Sequence, residues 1–240
     1  MEKPVLYEEK NGVALITLNR PEKRNAISQE LLAHLYDALE RVAEKESIRA
    51  AVLTGAGPAF CAGLDLTRLA TDNLMDPRGD GSDLLPLVAR LAKPLIGAVN
   101  GAAMTGGFEL ALNCDFLLAS ETARFADTHV KMGIHPGWGM SQLLQRKVGL
   151  SRALQMSLTG DFLDAPTALA WGLVNEVLFP EALVPRALEI AGRIAENNQE
   201  MVPLLKSLLE RGSLLPTDQA MELEHREFRA FLKQKGILKT

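Results

Sequence analysis

The sequence has 240 residues, with 26 Lys and Arg against 30 Asp and Glu and a formal net charge of −4. That balance excludes a general positive field for nucleic acid, so any anionic ligand must be bound by a local site. The first ten residues carry charges where a signal peptide needs an apolar run, and no stretch approaches about 18 uninterrupted apolar residues, so we expect a cytoplasmic protein that does not enter a membrane. Cys61 and Cys114 are too few for a disulfide framework or a zinc site of paired cysteines.

The first elements are predicted to be a hairpin and an amphipathic helix. The strand-like runs at residues 5–7 and 13–18 flank Asn11-Gly12, which is a strong hairpin signal. Ser28 is a typical N-cap residue for a helix that follows it. The apolar residues on one face of that helix are Leu31, Leu35, Leu39 and Val42.

Two loops carry groups that could meet a ligand. The basic pair Lys23 and Arg24 precedes the helix, and the residues alone leave it open as a solvated loop or a phosphate site. Small residues at 62–65 let backbone amides face a ligand. Asp65, in that segment, is interpreted as a local turn or cap acceptor rather than an acid catalyst.

The stretch from residue 98 to 115 is where we place the chemistry. A strand at 95–99 is followed by a turn and a buried helix that begins near Gly106 and Gly107. The first amides of a helix lack intrahelical acceptors and carry the positive end of its dipole, so they suit an oxygen that gains negative charge. Glu109 lies in the first turn, where a carboxylate is favoured, and suits a general base. A buried helix with a capping carboxylate is the alternative.

Strands and helices alternate through the middle of the chain. Short apolar runs at 50–54, 95–99 and 116–119 are separated by helical segments, which is typical of an α/β fold with parallel strands. The polar segment at 67–83 is long for a loop within a domain, and we interpret it as a lid over an acyl pocket. A helix is predicted at 84–91.

Histidines occur in the segment after the strand at 116–119. His129 and His135 have no spacing typical of a helical metal pair and no carboxylate completes one, so no metal is predicted. His135 before Pro136 reads as a turn residue, whereas His129 could titrate near neutral pH.

The last third of the chain is predicted to be mainly helical. Helices at 141–147 and 165–171 precede a last strand at 174–178, and further helices follow at 181–195, 203–210 and 216–233. We divide the chain into a core at 1–195 and a C-terminal helical region at 196–240. The apolar faces of the terminal helices must either cover the core as a lid or pack against a neighbouring subunit.

Several motifs in this order resemble the enoyl-CoA hydratase/isomerase (crotonase) family from end to end. The motifs are the segments at 19–26, 60–66, 98–109 with Cys114-Asp115, 136–139, and 158–161 with Gly172-Leu173-Val174. The resemblance implies an α/β spiral of ββα units followed by C-terminal helices. It also implies a homotrimer or homohexamer that acts on acyl-CoA thioesters, with coenzyme A as part of the substrate and no further cofactor.

The resemblance assigns roles to several positions. It implies an oxyanion hole formed by the amides of Leu64 and Gly106, an adenine contact at the backbone of Ala62, and CoA phosphates near Lys23 or Arg24. The substrate-binding residues implied are Lys23, Arg24, Ala26, Ala62, Gly63, Leu64, Asp65, Leu66 and Gly106.

The sequence departs from the family at one catalytic position. The family's hydratases hold water between two glutamates; Glu109 supplies the first, and alignment through Phe125 and Gly133 puts His129 at the second. The predicted activity is hydration of a 2-enoyl-CoA, with Glu109 as the principal acid/base and His129 orienting the water or sharing the proton. The alternatives are an acyl-CoA binder with little or no turnover, or another enolate reaction such as decarboxylation or thioester hydrolysis.

Overall fold

The computed structural model describes residues 3–237, and its first element is the predicted hairpin. The strands Val5–Lys10 and Val13–Leu18 pair antiparallel, with Lys10 opposite Val13. Asn11 and Gly12 join them with φ angles of +51° and +79°. Asparagine and glycine tolerate this left-handed region, so their backbone can close a two-residue turn that matches the strand twist.

Ten strands of the described residues form two sheets. They are β1 (Val5–Lys10), β2 (Val13–Leu18), β3 (Ala50–Gly55), β4 (Ala59–Cys61), β5 (Leu95–Val99), β6 (Ala102–Met104), β7 (Phe116–Ser120), β8 (Arg124–Ala126), β9 (Leu163–Asp164) and β10 (Glu176–Leu178). The large sheet has the order β1-β2-β3-β5-β7-β10, and the small sheet has the order β4-β6-β8-β9. All neighbours from β2 to β10 in the large sheet are parallel.

The small sheet is the part of the strand pattern that local sequence patterns did not predict. Its strands have only two or three residues, too few for an alternating pattern to be recognised. The prediction of a direct turn from β5 into the central helix was therefore wrong, because β6 lies between them. Each of β3, β5 and β7 is followed at once by a strand of the small sheet, which gives repeated ββα units.

Ten helices of the described residues accompany the strands. They are α1 (Gln29–Glu44), α2 (Leu84–Ala89), α3 (Gly106–Leu112), α4 (His129–Met132), α5 (Met140–Val148), α6 (Leu150–Thr159), α7 (Ala165–Ala170), α8 (Pro180–Glu196), α9 (Met201–Gly212) and α10 (Thr217–Gln234). The predicted N-cap of α1 is present, since Ser28 Oγ accepts from the amide of Leu31 at 3.2 Å. α4 and α6 were not predicted.

The core lies on both faces of the large sheet. On one face, α1 packs against β1 and β2, and the central helix α3 lies between the two sheets, in contact with β4, β6 and β7. On the other face, α8 packs against β3, β5 and β7 with Leu183, Ala187 and Ala191 buried. Their i, i+4, i+8 spacing makes this a helix with one apolar stripe.

The chain consists of two compact units, Met1–Glu196 and Asn197–Thr240. The second contains α9 and α10, which pack against each other. Its exposed apolar side chains are Leu205, Leu209, Leu214, Leu215, Met221, Phe228 and Ile237. No helix among residues 3–237 is long and apolar enough to cross a membrane.

The segment at 67–83 is attached to α1 by several contacts. The amide of Gln29 donates to Asp72, and the Gln29 side chain bonds with the Pro77 carbonyl and the Asn73 amide. Arg78 forms ion pairs with Glu40 and with Asp37 on the same helix. The segment thus has fixed anchors on α1; its role as a lid stays a prediction.

Candidate active site

Two parallel neighbours of the small sheet bring the segments at 60–65 and 104–109 together. β4 pairs with β6, and glycines allow the chains that follow to approach closely. A Cβ on Gly107 would lie 2.2 Å from the carbonyl oxygen of Cys61, and one on Gly63 would lie 3.0 Å from the Met104 carbonyl. Glycine is therefore required at Gly107 on steric grounds, and Gly63 has in addition a φ of +92°.

The amides of Leu64 and Gly106 lie next to this contact. Leu64 forms a bridge with Ile27 that uses the Gly63 carbonyl and the Asp65 amide, and this leaves the Leu64 N–H out of the pairing. Gly106 is the first residue of α3, where the N–H has no intrahelical acceptor. Neither amide donates in any backbone hydrogen bond assigned to the described part of the chain outside regular elements.

Thr105 holds a strained backbone immediately before Gly106. Its φ of +49° is unusual for a β-branched residue. Its amide donates to the Ala126 carbonyl at 2.9 Å, and its hydroxyl is hydrogen-bonded to that of Thr128 at 2.5 Å. Strain of this kind persists where the surroundings determine the conformation, and it is common at functional sites.

The carboxylate of Glu109 is buried and fixed by backbone donors. Glu109 is 2% exposed. Its Oε1 accepts from the amides of Trp138 and Met140 at 2.8 and 3.1 Å. Its other oxygen, Oε2, lies 3.6 Å from His129 Nε2. Oε1 is therefore held by two backbone hydrogen bonds, and Oε2 is directed toward His129.

His129 lies between two carboxylates. It is 7% exposed, begins α4, and donates from Nδ1 to Asp127 Oδ1 at 2.6 Å. Burial acts to lower the pKa of His129, but the carboxylates of Asp127 and Glu109 more than offset it and raise the pKa from 6.5 to about 9. Both carboxylates therefore favour the positively charged form of the imidazole.

Asp127 is a functional candidate that the sequence reasoning missed. It is 3% exposed, and burial acts to raise its pKa. Hydrogen bonds from His129 and Ser157 outweigh that effect, so the pKa of Asp127 lies below its ordinary value. The one available signal was an acidic residue two positions before the histidine that replaces the family glutamate.

Leu64, Gly106, Glu109 and His129 line one cavity of about 210 Å³. Its lining includes both predicted oxyanion residues, both predicted proton-transfer residues and two residues of the 67–83 segment. The lining residues are Leu64, Leu74, Met75, Gly106, Glu109, His129, Ile134, His135, Gly137 and Trp138. In the described residues, no group of three or more His, Cys, Asp or Glu is arranged to hold a metal ion.

The remaining predicted binding residues lie on two loops, at residues 23–26 and 62–66, that are hydrogen-bonded to each other. Lys23 and Arg24 are exposed, and the amide of Ala62 donates to the Arg24 carbonyl at 3.0 Å. Ala26 is half-buried, while Leu66 is exposed. These loops place the basic pair next to the segment that contains Gly63.

Asp65 uses its carboxylate within the protein. Its Oδ1 accepts from the Thr67 hydroxyl at 2.7 Å, and its Oδ2 pairs with Arg20 at 3.0 Å. The hydrogen bond from Thr67 lowers the pKa of Asp65, burial opposes it, and Arg20 lowers it further. Any substrate contact of Asp65 therefore falls to its backbone.

The sequence model of the family described as enoyl-CoA hydratase/isomerase matches residues 8–239. The chain belongs to this family. The Arabidopsis thaliana protein named "Probable enoyl-CoA hydratase 1, peroxisomal" is 40% identical over 224 residues, which cover 93% of this chain and 84% of that protein. The predicted family is thus confirmed.

Solved structures agree. An enoyl-CoA hydratase from Mycobacterium tuberculosis H37Rv is 42% identical with a TM-score of 0.79, and the match covers 95% of this chain and 99% of that one. An enoyl-CoA hydratase from Bacillus anthracis is 34% identical with a TM-score of 0.86, over 94% and 90% of the two chains. The predicted fold class, an α/β crotonase-like spiral with a C-terminal helical region, is confirmed.

Proposed function

We propose that this protein adds water across the double bond of a 2-enoyl-CoA thioester. The observation that carries the proposal is the single cavity lined by Leu64, Gly106, Glu109 and His129. Membership of the enoyl-CoA hydratase/isomerase family and similarity to named hydratases support the same reaction.

The amides of Leu64 and Gly106 would bind the thioester oxygen. As water attacks the β-carbon, charge moves onto this oxygen and an enolate develops. Two fixed N–H donors stabilise that charge without reorganisation, and each such donor contributes about 3 to 4 kcal/mol in comparable sites. The donors act on the transition state more than on the substrate, so they raise kcat.

Glu109 and His129 divide the proton transfers. Glu109 takes a proton from water, the water oxygen bonds to the β-carbon, and the electron pair of the double bond moves toward the α-carbon and the thioester oxygen. His129 Nε2 gives its proton to the α-carbon and becomes neutral. A proton transfer from Glu109 to His129 then restores both groups, so the cycle consumes only water and substrate.

The CoA portion would bind along the two paired loops. Lys23 or Arg24 would meet the phosphates, and the backbone at Ala62 would meet the adenine. The exposure of the basic pair and the hydrogen bond between Ala62 and Arg24 support this assignment. We assign Ala26, Gly63, Asp65 and Leu66 to the same binding surface.

We also propose that the protein assembles as a homotrimer or homohexamer. The exposed apolar side chains of the C-terminal unit, such as Leu209 at 74% and Met221 at 69%, support a subunit contact rather than a solvated surface. The domain division at 195/196 and the lid or trimerisation role of the second part are proposed with it. Cys61 and Cys114 are buried thiols, which suits a reducing compartment such as the cytoplasm.

The absorbance of a 2-enoyl-CoA tests the activity directly. Purified protein should remove the conjugated double bond and yield the 3-hydroxyacyl-CoA, measured over a panel of chain lengths. Calorimetric binding of the acyl-CoA without loss of enoyl absorbance, while another hydratase works in parallel, would instead identify a binding protein. Free CoA or carbon dioxide as product would identify hydrolysis or decarboxylation.

A further inference from the structure

Asp127 is a buried carboxylate that takes no direct part in the hydration steps above. Its Oδ1 accepts from His129 Nδ1 at 2.6 Å and from the His129 amide at 3.3 Å. The Ser157 side chain on α6 also lowers the pKa of Asp127. The carboxylate is thus held against the start of α4, on the edge of the imidazole opposite Nε2.

This arrangement decides which protons the imidazole carries. A neutral imidazole has one N–H, and an acceptor at Nδ1 retains the proton there. Nε2 can then donate only when the ring is charged. The contacts of His129 supply a carboxylate at each nitrogen, Asp127 at 2.6 Å and Glu109 at 3.6 Å, and both favour the charged ring.

We propose that Asp127 is a positioning residue for the hydration reaction. It orients His129 and keeps Nε2 as a proton donor toward the cavity, so that Asp127 and His129 act together as the acid opposite Glu109. The proposal rests on the hydratase function given above. It assigns to Asp127 no contact with the substrate.

Charge balance gives the reason for a second carboxylate. A buried Glu109–His129 pair alone could neutralise itself by moving one proton from Nε2 to Oε2. Glu109 would then be unable to accept a proton from water. The negative charge of Asp127 makes the neutral imidazole less favourable, so the ionised Glu109 and the charged His129 coexist. The three groups together carry one negative charge.

The charged groups that act on His129 are the carboxylates of Asp127 and Glu109. From α6, the neutral side chain of Ser157 acts on Asp127. Lys131 on α4 donates to the Gly160 carbonyl at 2.7 Å. His135 lines the same cavity but bonds its Nδ1 to the Pro136 carbonyl. The contacts with Asp127 and Glu109 raise the pKa of His129 to about 9.

The first test asks whether Asp127→Asn changes kcat in opposite directions in the protein and in a His129→Glu variant. Asp127→Asn keeps an oxygen acceptor and removes the charge, so kcat should fall about 10- to 100-fold with little change in KM. In a His129→Glu background, the charge of Asp127 repels the new carboxylate, so adding Asp127→Asn should raise kcat several-fold. A purely structural role for Asp127 predicts a loss in both backgrounds, and that result would overturn the proposal.

The second test does not depend on turnover. The ring nitrogens of His129 are titrated by ¹⁵N NMR in the protein and in Asp127→Asn. We expect a midpoint near pH 9 in the protein and a clearly lower one in the variant. Equal midpoints would refute the role of Asp127 even if hydration is observed; a lowered midpoint without hydration would instead refute only the proposed function.

Discussion

Two sets of residues that line the cavity, the backbone wall of Leu64 and Gly106 and the histidine wall at His129, come from different parts of the chain. On one wall, the proposed donors are backbone amides of Leu64 and Gly106, positioned by neighbouring strands of the small sheet. On the other wall, the acting group is the side chain of His129 at the start of the short helix α4, and Asp127 accepts a hydrogen bond from its Nδ1. Backbone donors do not titrate and persist when side chains change, whereas the histidine wall depends on residue identity and on pH.

The largest effect is expected at Glu109, which lies on the same helix as Gly106 and has its Oε2 3.6 Å from His129 Nε2. Glu109→Gln keeps an oxygen for the amides of Trp138 and Met140 but cannot accept a proton, so kcat should fall about 10³-fold. Binding of a saturated acyl-CoA, measured by calorimetry, should change little. Glu121→Gln, at an exposed glutamate, is the matched control and should leave both quantities unchanged. Undiminished turnover in Glu109→Gln would refute its role as the base.

A single methyl group at Gly107 should disrupt the close contact between α3 and β4 that positions the backbone wall. A Cβ there would lie 2.2 Å from the Cys61 carbonyl oxygen, so either the strand or the helix must move. Gly107→Ala should lower the free energy of unfolding by about 3 kcal/mol, measured by urea denaturation. At Gly192 on α8 a Cβ meets nothing within 4 Å. Gly192→Ala should leave stability unchanged or raise it; equal losses at both positions would contradict the close approach.

The histidine wall should make stability depend on pH. The folded-state pKa of His129 is about 9, above its ordinary value of 6.5, so the folded protein binds more protons between these pH values. This stabilisation is fully present below pH 6.5 and is lost as the pH rises through 9. Urea denaturation across this range should show a fall that His129→Gln reduces. An unchanged slope in the variant would mean that another group causes the fall.

The smallest effect is expected at the basic loop outside both walls. Lys23→Ala should raise KM about 2- to 5-fold at low salt and leave kcat unchanged, because an exposed charge contributes at most about 1 kcal/mol. The difference should disappear at high ionic strength. Lys10→Ala, at another exposed lysine, controls for net charge. The same rise in KM in both variants would remove the specific role of Lys23.

The sequence predicted the parts of the fold whose signals are local. Asn11-Gly12 and Ser28 act through their own backbone or a neighbour three residues away, so the hairpin and the start of α1 were correct. The small sheet was missed because strands such as Ala102–Met104 are too short to show a period. Their pairing partners lie more than twenty residues away in the chain.

The site shows the same difference between residues that local sequence can indicate and contacts that only the fold determines. Glu109 and His129 could be singled out as residues, and the structure brings them within 3.6 Å of each other. The donors that fix Glu109 are the amides of Trp138 and Met140, about thirty residues further along the chain, and local sequence does not indicate which distant carboxylate an amide will meet. Asp127 was overlooked because its function depends on the direction of the His129 ring, which the fold determines.

The vibrational spectrum of the bound thioester carbonyl tests the central claim most directly. A saturated acyl-CoA labelled with ¹³C at the carbonyl is bound to Glu109→Gln, and its infrared difference spectrum is compared with that of the free thioester in water. If the amides of Leu64 and Gly106 converge on the oxygen, the carbonyl band shifts to lower frequency on binding. A labelled carbonyl that binds with an unchanged frequency would contradict the oxyanion hole and the mechanism built on it.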